Sequence, residues 1–95
     1  MTFDDIVSML KRSMAKTSLS DRLKFDCGDD GQIVLGPDGV LLGDNPADCT
    51  IRMTTENLGK LLTGKLNPMT GVVMGKLKIS GDASVAMKLG QLLKG

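Results

Sequence analysis

The chain has 95 residues, a net charge of +1, 41% hydrophobic and 24% charged side chains, which is enough for one globular domain and no second core. It contains no His, Trp or Tyr, so the commonest general base and metal ligand is missing. With Phe3 and Phe25 as the only aromatics there is also no base-stacking platform for nucleic acid.

Thr2 is placed to cap a helix over 3–16, with Asp4 and Asp5 in its first turn and Phe3, Ile6, Val7, Leu10 and Met14 at helical spacing. This acidic start has no long apolar run, unlike a signal or transit peptide, and no segment approaches the ~20 apolar residues of a membrane span. A reducing cytoplasm is the expected setting. The period then changes to two. "RLKFDC" (22–27), "QIVL" (32–35), Val40–Leu42 and "CTIRMT" (49–54) predict strands, with "GDDG" (28–31) and "GPDG" (36–39) as turns. The first half reads as a helix followed by an antiparallel meander. Cys27 and Cys49 fall on the apolar faces of their strands, which predicts buried free thiols. They also stand too far apart for a zinc pattern.

A second helix starts at Thr54 or Thr55, carries Leu58, Leu61 and Leu62, and ends at Gly64. Asn67 as N-cap and Pro68 at the first helical position begin a short third helix through Met69, Val72, Val73 and Met74 to Gly75. "KLKIS" (76–80) predicts a strand with Leu77 and Ile79 facing in and Lys76 and Lys78 facing out. Asp82 caps a final helix to about Lys94. Only Ser84, Lys88 and Gln91 interrupt the apolar circumference of that helix, so it needs cover from another helix, a partner subunit or a ligand.

Charge is uneven along the chain. Residues 1–59 hold six basic and ten acidic side chains, whereas residues 60–95 hold six lysines against Asp82 alone. An anionic ligand or membrane surface would be drawn to the second half, although solvated lysines give the same composition.

Known site motifs do not fit. "GVVMGKL" (71–77) has the wrong glycine spacing for a phosphate loop, with Leu77 where Ser or Thr must hold magnesium. "DCGDDG" (26–31) begins like a calcium loop, but Gly28 breaks its third position and Pro37 stands where a closing Glu is required. No Ser or Cys has a His to activate it. The expectation is no enzyme, no metal, no cofactor and no nucleic-acid partner.

The stretch "LLTGKLNPMTGVVMGKLKISGDASVAMKLGQLL" resembles the C-terminal signature of the sterol carrier protein 2 family of lipid-binding domains. The similarity rests on Thr63-Gly64-Lys65-Leu66, Asn67-Pro68, Gly75-Lys76-Leu77-Lys78-Ile79, Gly81-Asp82 and Ala86-Met87-Lys88-Leu89, and the order of predicted elements extends it over residues 1–95. It implies a single α/β (α+β) domain: a five-stranded, mainly antiparallel sheet covered by helices and enclosing an apolar tunnel. It also implies non-catalytic binding and transfer of a fatty acid, fatty acyl-CoA, sterol or phospholipid. Carried onto this chain, the lipid-binding walls are Leu58, Leu61, Leu62, Met69, Val72, Val73, Met74, Leu77, Ile79, Met87, Leu89 and Leu92. Phe25, Ile33, Ile51 and Met53 line the opposite side. Met69 and Met87 stand where some relatives carry Gln, which points to a more uniformly apolar ligand. The chain ends "LLKG", without a peroxisomal tripeptide.

Residues themselves support parts of this picture. Asn-Pro and flanking glycines make a short helix hinged at both ends, and methionines adapt to ligands of differing shape. Lys65, Lys76, Lys78, Lys88 or Lys94 are candidates for a headgroup or a transient anionic-membrane contact. The competing reading is a protein-interaction module, or an accessory module presenting a lipid or quinone precursor to a partner enzyme.

Overall fold

The computed structural model describes residues 2–16 and 19–87. Helix α1 (Phe3–Lys16) opens with a reciprocal cap: Asp5 N–H donates to Thr2 Oγ1 at 3.1 Å and Thr2 N–H donates to the Asp5 carboxylate at 3.0 Å. Three strands follow, β1 (Leu23–Asp26), β2 (Gln32–Gly36) and β3 (Gly39–Leu42), with a short 3-10 turn at Gly28–Asp30. Then come β4 (Cys49–Arg52), α2 (Thr55–Leu62), α3 (Pro68–Val73), β5 (Lys78–Gly81) and α4 (Ala83–Met87). The expected continuation of the last helix to about Lys94 lies outside the described residues.

The strands form one sheet in the order β3-β2-β1-β4-β5. All pairs are antiparallel except β1 with β4, which run parallel with Leu23 opposite Cys49 and Phe25 opposite Ile51. The expected meander therefore stops after β3. The chain passes from β3 to the other side of β1, so β1 sits at the centre of the sheet and β5 at its edge.

One face of the sheet is apolar and carries the helices. Leu23, Phe25, Ile33, Leu35, Cys49 and Ile51 from the strands form a single cluster with Ile6, Val7 and Leu10 of α1, Leu58 and Leu61 of α2, and Val85 of α4. The alternate strand positions Lys24, Asp26 and Arg52 face the other way and are tied by surface ion pairs, among them Lys24 to Asp44 at 2.6 Å. Both cysteines are free and buried in the cluster, as their strand positions imply.

Helices α2 and α3 end alike, and both endings position the site. After α2, Gly64 takes φ +80, its N–H reaches Leu61 C=O and Lys65 N–H reaches back to Lys60 C=O at 2.8 Å. After α3, Gly75 takes φ +75, its N–H reaches Val72 C=O and Lys76 N–H reaches Gly71 C=O, again at 2.8 Å. Both are Schellman terminations, which need a left-handed residue and so favour glycine. In each, the Gly-Lys-Leu run then sends its leucine, Leu66 or Leu77, into the core.

Candidate apolar ligand site

The strand and helix positions expected to wall a lipid site separate into three groups. Phe25, Ile33, Ile51, Met53, Leu58, Leu61 and Leu77 meet in the core cluster, with Leu62 packed against it. Their convergence follows from the sheet register, which puts Ile33, Phe25 and Ile51 side by side on the face that α2 covers. Thr54 caps α2 by accepting from Asn57 N–H at 3.1 Å and so fixes the direction in which Leu58 and Leu61 point.

A second group is brought to the surface. On α3, Asn67 caps the helix by accepting from Met69 and Thr70 N–H, and the helix settles with Gly71 as its buried position. The predicted apolar stripe consequently points outward: Met69 is 63%, Val73 84% and Met74 61% exposed, and Val72 is exposed as well. The third group, the Met87 side chain with Leu89 and Leu92, lies outside the described residues, as do Lys88 and Lys94.

Ile79 connects the interior with the surface. It is the register partner of Ile51 and so faces the helix-covered side of the sheet, yet it is 37% exposed. Leu77, two residues earlier, is buried against Gly71. The inner face of β5 is therefore where apolar core reaches solvent. Among the described residues no buried side chain is polar or charged, and no buried side-chain nitrogen or oxygen lacks a partner. Such an interior could offer a guest only shape and apolar area.

Two open grooves flank the core. One, of about 590 Å³, runs past Met53 and the start of α2 and is lined by Lys76, Lys78 and Arg52, the last paired with Asp26 at 3.8 Å. The other, of about 540 Å³, lies between the N-terminus of α1 and α2 and is lined by Phe3, Asp30, Thr55, Lys60 and Lys65. In the second, Thr55 Oγ1 donates to the Asp30 carboxylate at 2.5 Å, and Cys27 and Asp26 both line the first. Burial pushes the Cys27 and Cys49 thiols up from their ordinary value, which keeps them protonated and unreactive at neutral pH.

Comparison with known proteins bears directly on this arrangement. The model of the SCP-2 sterol transfer family matches residues 5–94. A 49-residue stretch is 55% identical to sterol carrier protein 2 of Gallus gallus, which is 52% of this chain and 9% of that protein. The matched stretch thus covers about a tenth of the length of this curated relative. The sterol carrier protein domain 2 of Helicoverpa armigera superposes with a TM-score of 0.71 at 25% identity, covering 95% of this chain and 84% of that one. Sterol carrier protein-2 of Aedes aegypti, solved in complex with palmitate, superposes with a TM-score of 0.78 at 15% identity, covering 95% and 92%. At that identity the likeness is one of fold.

Proposed function

Because the chain belongs to the SCP-2 sterol transfer family, we propose that it is a non-catalytic lipid carrier whose cargo enters past Ile79 and lies among Phe25, Ile33, Ile51, Met53, Leu58, Leu61, Leu62 and Leu77. The observation that carries this reading is the join between an interior in which none of the described residues buries a polar side chain and an inward-facing residue of the edge strand that solvent reaches. A fatty acid is the favoured ligand, since an unbranched chain needs only apolar contact inside and leaves its carboxylate at the mouth. Palmitate in the Aedes aegypti protein supports this choice. Met87, Leu89 and Leu92 are proposed to complete the wall, and α3 to serve as the lid over it.

Packing of these residues against one another is compatible with a carrier. A ~300 Å³ void held open would cost on the order of 7 kcal/mol at about 24 cal/mol per Å³, comparable to the whole stability of a small domain. Closure over the space is then the stable arrangement, and a lipid must part the side chains to enter. The cytoplasm is the proposed compartment.

Presentation of the lipid to a catalytic neighbour is the second reading, favoured by one fact: the matched segment is 9% of a much longer relative.

A fluorescent fatty-acid titration tests the proposal, with displacement by acyl-CoA, sterol and phospholipid. Saturable binding near 1 μM, about −8 kcal/mol, is expected, with fatty acid the strongest competitor. No saturable binding by folded, delipidated monomer would overturn it.

A further inference from the structure

We infer that the free edge of the sheet at β3 is an interface for a second copy of this chain, the two β3 strands pairing antiparallel about a two-fold axis at Leu41. The sheet order leaves two edges, β3 and β5, and among the described residues no strand pairs with the outer side of either. They are built differently. Strand β5 carries an exposed Lys78, and a charge on an edge keeps other strands away. Strand β3 runs Gly39, Val40, Leu41, Leu42 with no charge and no proline inside it, and Leu42 is 57% exposed. Backbone parity fixes what this edge offers. Gly43 N–H donates to Gln32 C=O at 2.9 Å, so the alternate residues Gly43, Leu41 and Gly39 are the ones that bond to β2. Val40 and Leu42 consequently turn their N–H and C=O groups outward from the sheet edge. Leu42 C=O accepts from Asn45 Nδ2 at 3.1 Å and keeps a second lone pair.

That pattern is complementary to itself. With Leu41 facing its counterpart, Val40 of one copy stands opposite the partner's Leu42, and the two residues exchange N–H to C=O bonds, a set that symmetry repeats. The side-chain faces agree as well. Val40 and Leu42 are register partners of Leu35 and Ile33, so they lie on the helix-covered face and would extend its apolar layer across the axis. Leu41 lies on the other face beside the buried Val34. Charge does not oppose the pairing. The carboxylates that flank β3, Asp38 and Asp44, are each bonded to a cation of their own copy, Arg22 at 2.9 Å and Lys24 at 2.6 Å. A strand of an unrelated protein would find the same backbone groups, but only a second copy matches Val40, Leu41 and Leu42 by symmetry. An interface this small makes a transient dimer. Because β5 is the far edge, both proposed mouths stay open, and the interface can fail without touching the carrier reading.

Sedimentation equilibrium over a range from about 5 μM to about 1 mM tests this, since a transient dimer dissociates within it. The weight-average mass should rise with concentration from 10.1 kDa toward twice that value. Hydrogen exchange at the Val40 and Leu42 amides of the parent protein should slow over the same range. Leu41→Lys and Leu41→Glu, each shown to unfold cooperatively in urea, should weaken self-association about 5-fold, because like charges then stand directly opposite across the axis. Mixing the two variants sets opposite charges there and should restore association. Parent protein that stays monomeric throughout would overturn the inference and leave the edge to a strand of another protein. Association without slowed exchange at Val40 and Leu42, or association that Leu41→Lys leaves unchanged, would overturn it by placing the contact elsewhere. Variants that lose association and do not regain it on mixing would refute the axis at Leu41.

Discussion

Leu77 occupies the space that a β-carbon on Gly71 would need: such an atom would lie 2.8 Å from its Cγ and 2.9 Å from its Cδ1. The contact seats α3 on the start of β5 and explains why the buried residue of a helix rich in Val and Met is its glycine. Gly71→Ala would gain about 1 kcal/mol of helix propensity but overpack a leucine that is 2% exposed, at a cost of about 1–3 kcal/mol. Net destabilisation of up to about 2 kcal/mol in urea unfolding is expected. The penalty should shrink in a Leu77→Ala background, and an equal penalty there would mean the contact is not its source.

Gly81 is more constrained. It has φ +87, and a β-carbon there would lie 2.6 Å from the backbone oxygen of Asp48. That oxygen also accepts from Asp82 N–H, while Asp48 N–H donates to Arg22 C=O, so the Asp48 peptide joins the ends of β1, β4 and β5. Gly81→Ala should cost about 3 kcal/mol or more, φ strain alone contributing roughly 1–3. Hydrogen exchange should show protection lost first in Lys78–Gly81.

Asp26 gives the acid dependence. Its carboxylate accepts from Gly28 N–H at 2.9 Å and Gln32 Nε2 at 3.1 Å, and these bonds, with Arg52 nearby, hold its carboxyl below the ordinary value of 3.8. A carboxyl depressed in the fold stabilises it above the unfolded value, and that contribution is lost as pH falls through the lower folded value. Asp26→Asn should therefore flatten the fall in stability between about pH 4 and pH 2. An unchanged acid limb in urea titrations at several pH values would refute this role.

The cysteines offer a probe of local opening. With Cys27 7% and Cys49 1% exposed and both thiols pushed up by burial, labelling by a thiol reagent at pH 8 should be roughly 100-fold slower in the native protein than in denaturant. Rapid labelling of Cys49 alone would show that β4 and β5 separate readily.

Cargo should also stabilise its carrier. At a fatty-acid concentration about 100 times Kd, thermal unfolding should report an added ~2.7 kcal/mol. Titration that saturates without raising the midpoint would place the ligand on the outside of the fold.

Much of this molecule can be read from its sequence because local signals agreed with the packing. Helix starts at Thr54 and Asn67, glycine stops at Gly64 and Gly75, and the period-two runs around Phe25, Ile33 and Ile51 all lie where capping chemistry and alternation put them. What escaped was partnership. Leu23-Phe25 and Cys49-Ile51 alternate identically whether their strands run parallel or antiparallel, so the central pairing left no local trace. "KLKIS" alternates from Lys76, but Lys76 N–H is committed to Gly71 C=O, and the strand begins only at Lys78. On α3 the spacing of Met69, Val72 and Val73 announces an apolar stripe without saying whether anything covers it. The fit of Gly71 under Leu77 decides that, and such a fit depends on side-chain packing that apolar spacing does not encode.

The parallel pair at the centre of the sheet also bears on the order of folding. Strands β1, β2 and β3 are joined by short turns and can zip as soon as they leave the ribosome, whereas β4 must close a much longer loop to find β1. Strand β5 must wait longer still, since α2 and α3 lie between it and β4. Non-local pairings of this kind slow folding. The nascent chain thus leaves one edge of β1 unpaired until β4 arrives, and the last strand to dock is the one proposed to form the mouth.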